Sequence, residues 1–195
     1  MMRKLFALLA LVACLAPAAA MAQDAPAGVR GEILMNMMDA GNKLEELAGA
    51  VPDGKYTWKP NKDVRSMGQV FLHVVAANYM FPVMLGMKGP LSMEEVMKLD
   101  SQTMEPSKIR QMLKDSYAFA SKGISETPDS ELETQVEFFG NKMTKRALLL
   151  ILASHSHEHL GQAIAYARSN SITPPWTARE QAKHKKMADE KKSGK

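Results

Sequence analysis

Apolar residues recur at helical spacing over most of the chain, and the breaks between runs are marked by proline, glycine and capping residues. Residues 28–50 carry Ile33, Leu34, Met37, Met38, Leu44 and Leu47 with a period of about 3.6, and the run stops at Pro52-Asp53-Gly54. The stretch YTWKPNKDVR then reads as a loop with two aromatic residues. Ser66 followed by Gln69 fits a capping box, which predicts a second helix running to about Leu85 and kinked by Pro82. A long connection over 86–106 holds one short helix, opened by a second capping box at Ser92 and Glu95. Ile109, Met112, Leu113, Tyr117 and Ala120 mark a third long helix over about 107–126. The segment LETQVEFFGNKMT alternates with period two around Gly140-Asn141, which predicts a small hairpin. Thr144 caps the last long helix, which runs to about Ser169 before Thr173-Pro174-Pro175. The pattern predicts an all-α fold: a four-helix bundle with long connections between helices 2 and 3 and between helices 3 and 4. No internal repeat is visible.

Composition changes this picture mainly at the two ends. The chain has 195 residues, 46% hydrophobic and 24% charged, which suits one globular domain with an ordinary core. Its start is different: Arg3 and Lys4 precede an apolar run from Leu5 to about Ala16, then small residues ending in Ala20-Met21-Ala22. That is the layout of a secretory signal over residues 1–22, with cleavage expected before Gln23 and a periplasmic or secreted mature protein. The run is too short, and too soon broken by Pro17, to read as a transmembrane helix. A rival reading takes Leu11-Val12-Ala13-Cys14 as a lipobox, which would anchor a lipoprotein through Cys14. Cleavage before Gln23 leaves 23 basic side chains against 21 acidic ones, a net charge of +2 too small to argue for nucleic acid. It also removes Cys14, the only cysteine, so a transition-metal site must use histidine, carboxylate or methionine. Residues 178–195 are polar and basic and read as a solvated tail, disordered or a frayed helix, with His184 in it. The bundle domain therefore occupies 23–177.

The candidate chemistry sits on two of the predicted helices. The run HSHEHLGQAIAYAR places three histidines within five residues, but a helix separates them. At about 100° per residue, His155 and His159 fall about 40° apart on one face, while His157 points about 200° away from His155. The pair continues an apolar stripe of Leu148, Leu152, Ala163 and Tyr166, where an unsatisfied imidazole is costly. His73 likewise interrupts the stripe Val70, Ala77, Met80, Met84 on the second helix. Each could be a hydrogen-bonded core histidine. Together they form a His₃ set with an open position, the arrangement of an exchange-capable or catalytic zinc-like site.

The stretches RSMGQVFLHVVAANY and HSHEHLGQAIAYARSNSITPP resemble the two signatures of the DinB-like (YfiT-like) four-helix proteins, and the YTWKP loop matches as well. In that family an H-x-x-x-H-x-G-Q/N run on the last helix joins a histidine of the second helix to bind a divalent metal. The resemblance covers about residues 28–177 and implies His73, His155 and His159 as ligands, with zinc or nickel as the expected ion. Many members carry Arg or Tyr after the last ligand, where this chain has Leu160. The family includes thiol-dependent S-transferases, mycothiol-dependent isomerases and proteins described as metal-dependent hydrolases.

Residues 155–159 also read H-x-x-E-H, the signature of peptidases that take a third ligand, a glutamate, from far downstream. Only 36 residues follow His159, and the acids among them (Glu180, Asp189, Glu190) lie in the polar tail, so that reading is set aside. Glu158 stays a catalytic candidate, about 60° from the ligand face, able to orient a ligand or take a proton, or else simply exposed. Met35-Asn36-Met37-Met38 raises copper binding, although methionine at helical spacing is usually core filler. Two functions follow. In one, the chain is an enzyme acting on an unknown small molecule, by metal-dependent hydrolysis or thiol transfer. In the other, it is a non-enzymatic metal-binding protein whose ion braces the bundle. A cavity with polar lining beside the ion favours the first, and a closed, dry site favours the second. Neither reading involves nucleic acid or a membrane span in the mature chain, and assembly as a homodimer is left open.

Overall fold

The computed structural model describes residues 27–193; the expected signal segment and Cys14 lie outside them. Four long helices carry the fold: α1 (Gly28–Ala50), α2 (Met67–Met84), α4 (Pro106–Glu126) and α5 (Lys145–Ser169). The short α3 (Met93–Lys98) lies in the second connection, and α6 (Pro175–Ser193) follows the bundle. The capping signals act as the sequence suggests. Ser66 and Gln69 form a reciprocal box at the start of α2, Ser92 and Glu95 form one at α3, and Thr144 accepts from the backbone N–H of Ala147. Pro106 opens α4 at a position where a missing N–H costs nothing. Pro82 lies in the last turn of α2, which ends two residues later, so its missing N–H falls at the end of the helix and not in its middle.

The connectivity is not that of a simple up-and-down bundle. α1 packs on α4 and α5, and α2 packs on the same two helices, so the consecutive helices α1 and α2 sit across the bundle from each other. The loop between them crosses an end of the bundle, where Tyr56 is buried and donates its hydroxyl to the carbonyl of Ala48. Met37, Leu44, Leu47, Phe71, Leu72, Leu113, Ile124, Leu148 and Leu152 fill the core. The two histidine-bearing stripes differ in depth. Leu148, Leu152 and Ala163 are fully buried, whereas His73, Met80 and Met84 are only half-buried, so the α2 stripe borders a cleft.

β1 (Gln135–Phe138) and β2 (Asn141–Thr144) form the expected hairpin, pairing Val136 with Met143 and Phe138 with Asn141. Its two-residue tip is Phe139-Gly140, one residue earlier than the Gly140-Asn141 expected from sequence. Gly140 takes the second turn position, and Asn141 joins the strand. Of the two readings of the tail, the helical one fits: α6 starts at Pro175 and runs to Ser193, exposed over most of its length. Its first turns are tied to α1 by an Arg179–Glu46 ion pair of 2.8 Å.

Packing between α1 and α4 gives a test. A Cβ added at Gly41 would lie 2.7 Å from ring carbons of the buried Tyr117, whereas one at Gly49 would meet nothing within 4 Å. Gly41→Ala should therefore lower stability by up to about 2 kcal/mol, the overlap outweighing the helix-propensity gain. Gly49→Ala should raise it, by up to about 1 kcal/mol. Urea unfolding of both variants checks the pair, and stabilisation by Gly41→Ala would contradict this packing.

Candidate metal centre

α2 and α5 bring His73, His155 and His159 together, with one nitrogen from each ring lying within 4.8 Å of the others. The ring centroids are 5.0 Å apart for His73 and His155, 4.7 Å for His73 and His159, and 4.4 Å for His155 and His159. The i, i+4 spacing on α5 accounts for the last contact, and helix packing accounts for the other two.

What surrounds the rings decides which nitrogen each one offers. His73 Nδ1 donates to Asp100 Oδ2 at 3.0 Å, and His159 Nδ1 donates to Gln162 Oε1 at 2.8 Å. Carboxylate and amide oxygens can only accept, so each holds the proton on Nδ1 and leaves Nε2 with a free lone pair. Gln162 is held in turn by its amide N–H, which donates to the Tyr166 hydroxyl at 3.3 Å, and Trp58 packs edge-on against the Tyr166 ring. Asp100 Oδ2 also accepts from Arg65 Nε at 2.9 Å and Nη2 at 2.7 Å. Asp100 reaches His73 because the 3-10 turn Leu99–Ser101 is anchored on the bundle by buried Val96 and Leu99.

Electrostatics favour the neutral form of His73 and His155. Burial, then its two neighbouring imidazoles, push His155 down to about 3. Burial, then Arg65 and His159, also hold His73 below its ordinary value, against the pull of Asp100. Burial would raise the Asp100 carboxyl, but Arg65 and His73 outweigh it and keep the group below the usual carboxylate range. His155 is the least satisfied member. Its Nδ1 is buried without a partner, and its Nε2 meets only His73 Nε2, at 3.2 Å. An orphaned buried polar atom costs about 1–3 kcal/mol. Three imidazoles, two with Nδ1 protons held by acceptors and the third with its Nε2 turned to that of His73, fit a divalent cation, which needs converging lone pairs.

A cleft of about 400 Å³ opens beside the cluster, bounded by Met80, Phe81, Phe138, Phe139 and Ile151, with His73 and His155 exposed to it. Asp100 and Arg65 supply its polar end. The site is therefore neither closed nor uniformly polar.

The other residues singled out from sequence lie elsewhere. His157 turns to α1, its Nε2 lying 3.0 Å from the Asn36 carbonyl oxygen. Glu158 is exposed and hydrogen-bonded to none of the three rings; the carboxylate at the cluster is Asp100. The helical offset that places Glu158 beside the ligand face also turns it toward solvent. His184 lies on exposed α6, 3.8 Å from Glu180. The methionine run splits, with Met37 in the core and Met35 70% exposed, so these two cannot share a soft ion. Asp100 and Arg65 were not legible in the sequence, since a lone Asp in a long connection carries no spacing signal. Gln162 was within sight: it sits three residues after His159, inside the quoted run, within reach along the helix.

The sequence pattern of the DinB superfamily matches residues 39–163. Among curated proteins, no sequence matches the chain. Solved structures of similar fold include a DinB-like protein from Bacillus cereus, at 20% identity and TM-score 0.64, covering 73% of this chain and 93% of that one. YfiT from Bacillus subtilis, described as a probable metal-dependent hydrolase with an unusual four-helix bundle topology, is 16% identical with TM-score 0.59, covering 74% and 89%. A mycothiol-dependent maleylpyruvate isomerase is 13% identical with TM-score 0.57, covering 67% of this chain and 59% of that one. At these identities the likeness is one of fold.

Proposed function

The chain belongs to the DinB superfamily, and from that premise we propose that it is an exported metal-dependent enzyme acting on a small molecule. His73, His155 and His159 hold one divalent ion, zinc or nickel. The observation that carries this reading is the meeting of His73 with the α5 pair beside a cleft that His73 and His155 line. An ion held only as a brace would suit a closed site, whereas here a ligand of small-molecule size can approach the cluster. Such an ion supplies Lewis acidity, drawing down the pKa of a water or thiol that reaches it.

The protein's own part is orientation. Asp100, itself held by Arg65, fixes the ring of His73. Gln162 does the same for His159, steadied by Tyr166 and Trp58. Hydrolysis and thiol transfer both suit this arrangement. Export, proposed from residues 1–22, favours hydrolysis, because thiol cofactors are poorly supplied outside the cytoplasm.

The tests follow the roles. Mature protein purified without a histidine tag should carry about one zinc or nickel per chain by elemental analysis, since the three rings form one site. His73→Ala should lose the ion and lower the melting temperature, because binding to the folded state alone stabilises it. His157→Ala and Glu158→Ala should keep it. Asp100→Asn should weaken affinity by about 10–100-fold, the usual cost of losing a partner that orients a ligand. Full metal content in His73→Ala would refute the shared site. Export is checked separately: the mature chain should begin at Gln23, and an acylated Cys14 or an intact cytoplasmic Met1 would overturn it.

A further inference from the structure

The tip of the hairpin is built against local preference. Phe139 has φ +48° and Gly140 has φ +79°, the pair of left-handed residues that a type I′ turn demands. Asn, Asp or Gly normally takes the first of these positions, because a bulky side chain there is strained. Phe139 is also 64% exposed, so the strain is not repaid by burial in the core. Strain retained at a surface position is a pointer to use.

The ring has a consistent setting. It lies edge-on to Phe138 at 4.7 Å; Phe138 packs on Phe81 at 5.2 Å; and Phe81 lies 6.4 Å from the ring of His155. A continuous aromatic path thus runs from the hairpin tip to the histidine cluster. Met80, Met97 and Ile151 complete the apolar walls of the same cleft. Its polar groups, His73, His155, Asp100 and Arg65, belong to the cluster and its supports.

We propose that this cleft takes a small molecule with a flat aryl body, its polar end at the histidines, and that Phe139 is the wall that selects the aryl group. The inference rests on the metal-centred reading above and adds the class of substrate. The volume, about 400 Å³, holds a ring and a short polar arm. Aromatic walls favour a flat ring through offset and edge-on contacts, which a methyl group cannot make. Phe139 is a specificity-determining residue and takes no part in holding the ion.

The experiment uses zinc-loaded mature protein and two probes with the same chelating head, benzohydroxamate and acetohydroxamate, measured by calorimetry. Benzohydroxamate should bind about tenfold more tightly, beyond any difference the two show for free zinc ion, because only it carries a ring for the aromatic walls. Phe139→Asn creates the preferred sequence for this turn, so that variant should melt at the same temperature or higher. It should nevertheless lose most of the benzohydroxamate advantage while leaving acetohydroxamate binding and zinc content unchanged. Equal affinities in the unaltered protein would overturn the aryl assignment and leave the metal site standing. An advantage that survives in Phe139→Asn would overturn the role of Phe139. If the protein holds zinc but binds neither probe, the open metal position itself is wrong, and this inference falls with it.

Discussion

An imidazole has two nitrogens, and a ring held at one of them can only present the other. The site depends on that constraint. Asp100 and Gln162, both acceptors, hold the Nδ1 protons of His73 and His159, and so aim two Nε2 lone pairs at the same place. Each acceptor is itself fixed: Asp100 by Arg65 from the loop before α2, Gln162 by Tyr166 and, behind it, Trp58. The YTWKP loop and the long second connection thus orient the histidines as well as adding Tyr56, Val96 and Leu99 to the core. The loop from α1 across an end of the bundle leaves α2 beside α5, which is what brings His73 to its partners.

Most of the fold could be read from the sequence because its signals are local. Ser66 with Gln69, Ser92 with Glu95, and Thr144 mark helix starts by chemistry that acts within one turn, and each marks an observed start. The hairpin was legible as an alternation, but its tip lay one residue off, because the observed turn places Phe where Asn or Gly is normal. The departure coincides with a wall of the cleft. The bundle's diagonal pairing of α1 and α2 has no local signal at all.

The site was legible in part for the same reason. Helical geometry alone separates His157 from His155 and His159, and an imidazole on an apolar stripe points to His73. The supports were not. Asp100 becomes visible only once the turn at Leu99–Ser101 docks on α2, and before that Glu158 is the more conspicuous acid. The structure places Glu158 in solvent and Asp100 on the ring. The surroundings of the cluster, an apolar cleft with polar groups at one end, come from Phe81, Phe138 and Ile151 meeting across three elements. No pattern along the chain announces that meeting.

The central claim, one ion shared by histidines 82 residues apart in sequence, is tested most directly by nitrogen NMR of the imidazoles during a zinc titration. Ring-nitrogen signals of His73, His155 and His159 should shift together and saturate at one ion per chain, with His73 and His159 keeping the proton on Nδ1. His157 and His184 should not move. A titration in which His155, His157 and His159 shift while His73 stays unchanged would contradict the shared site.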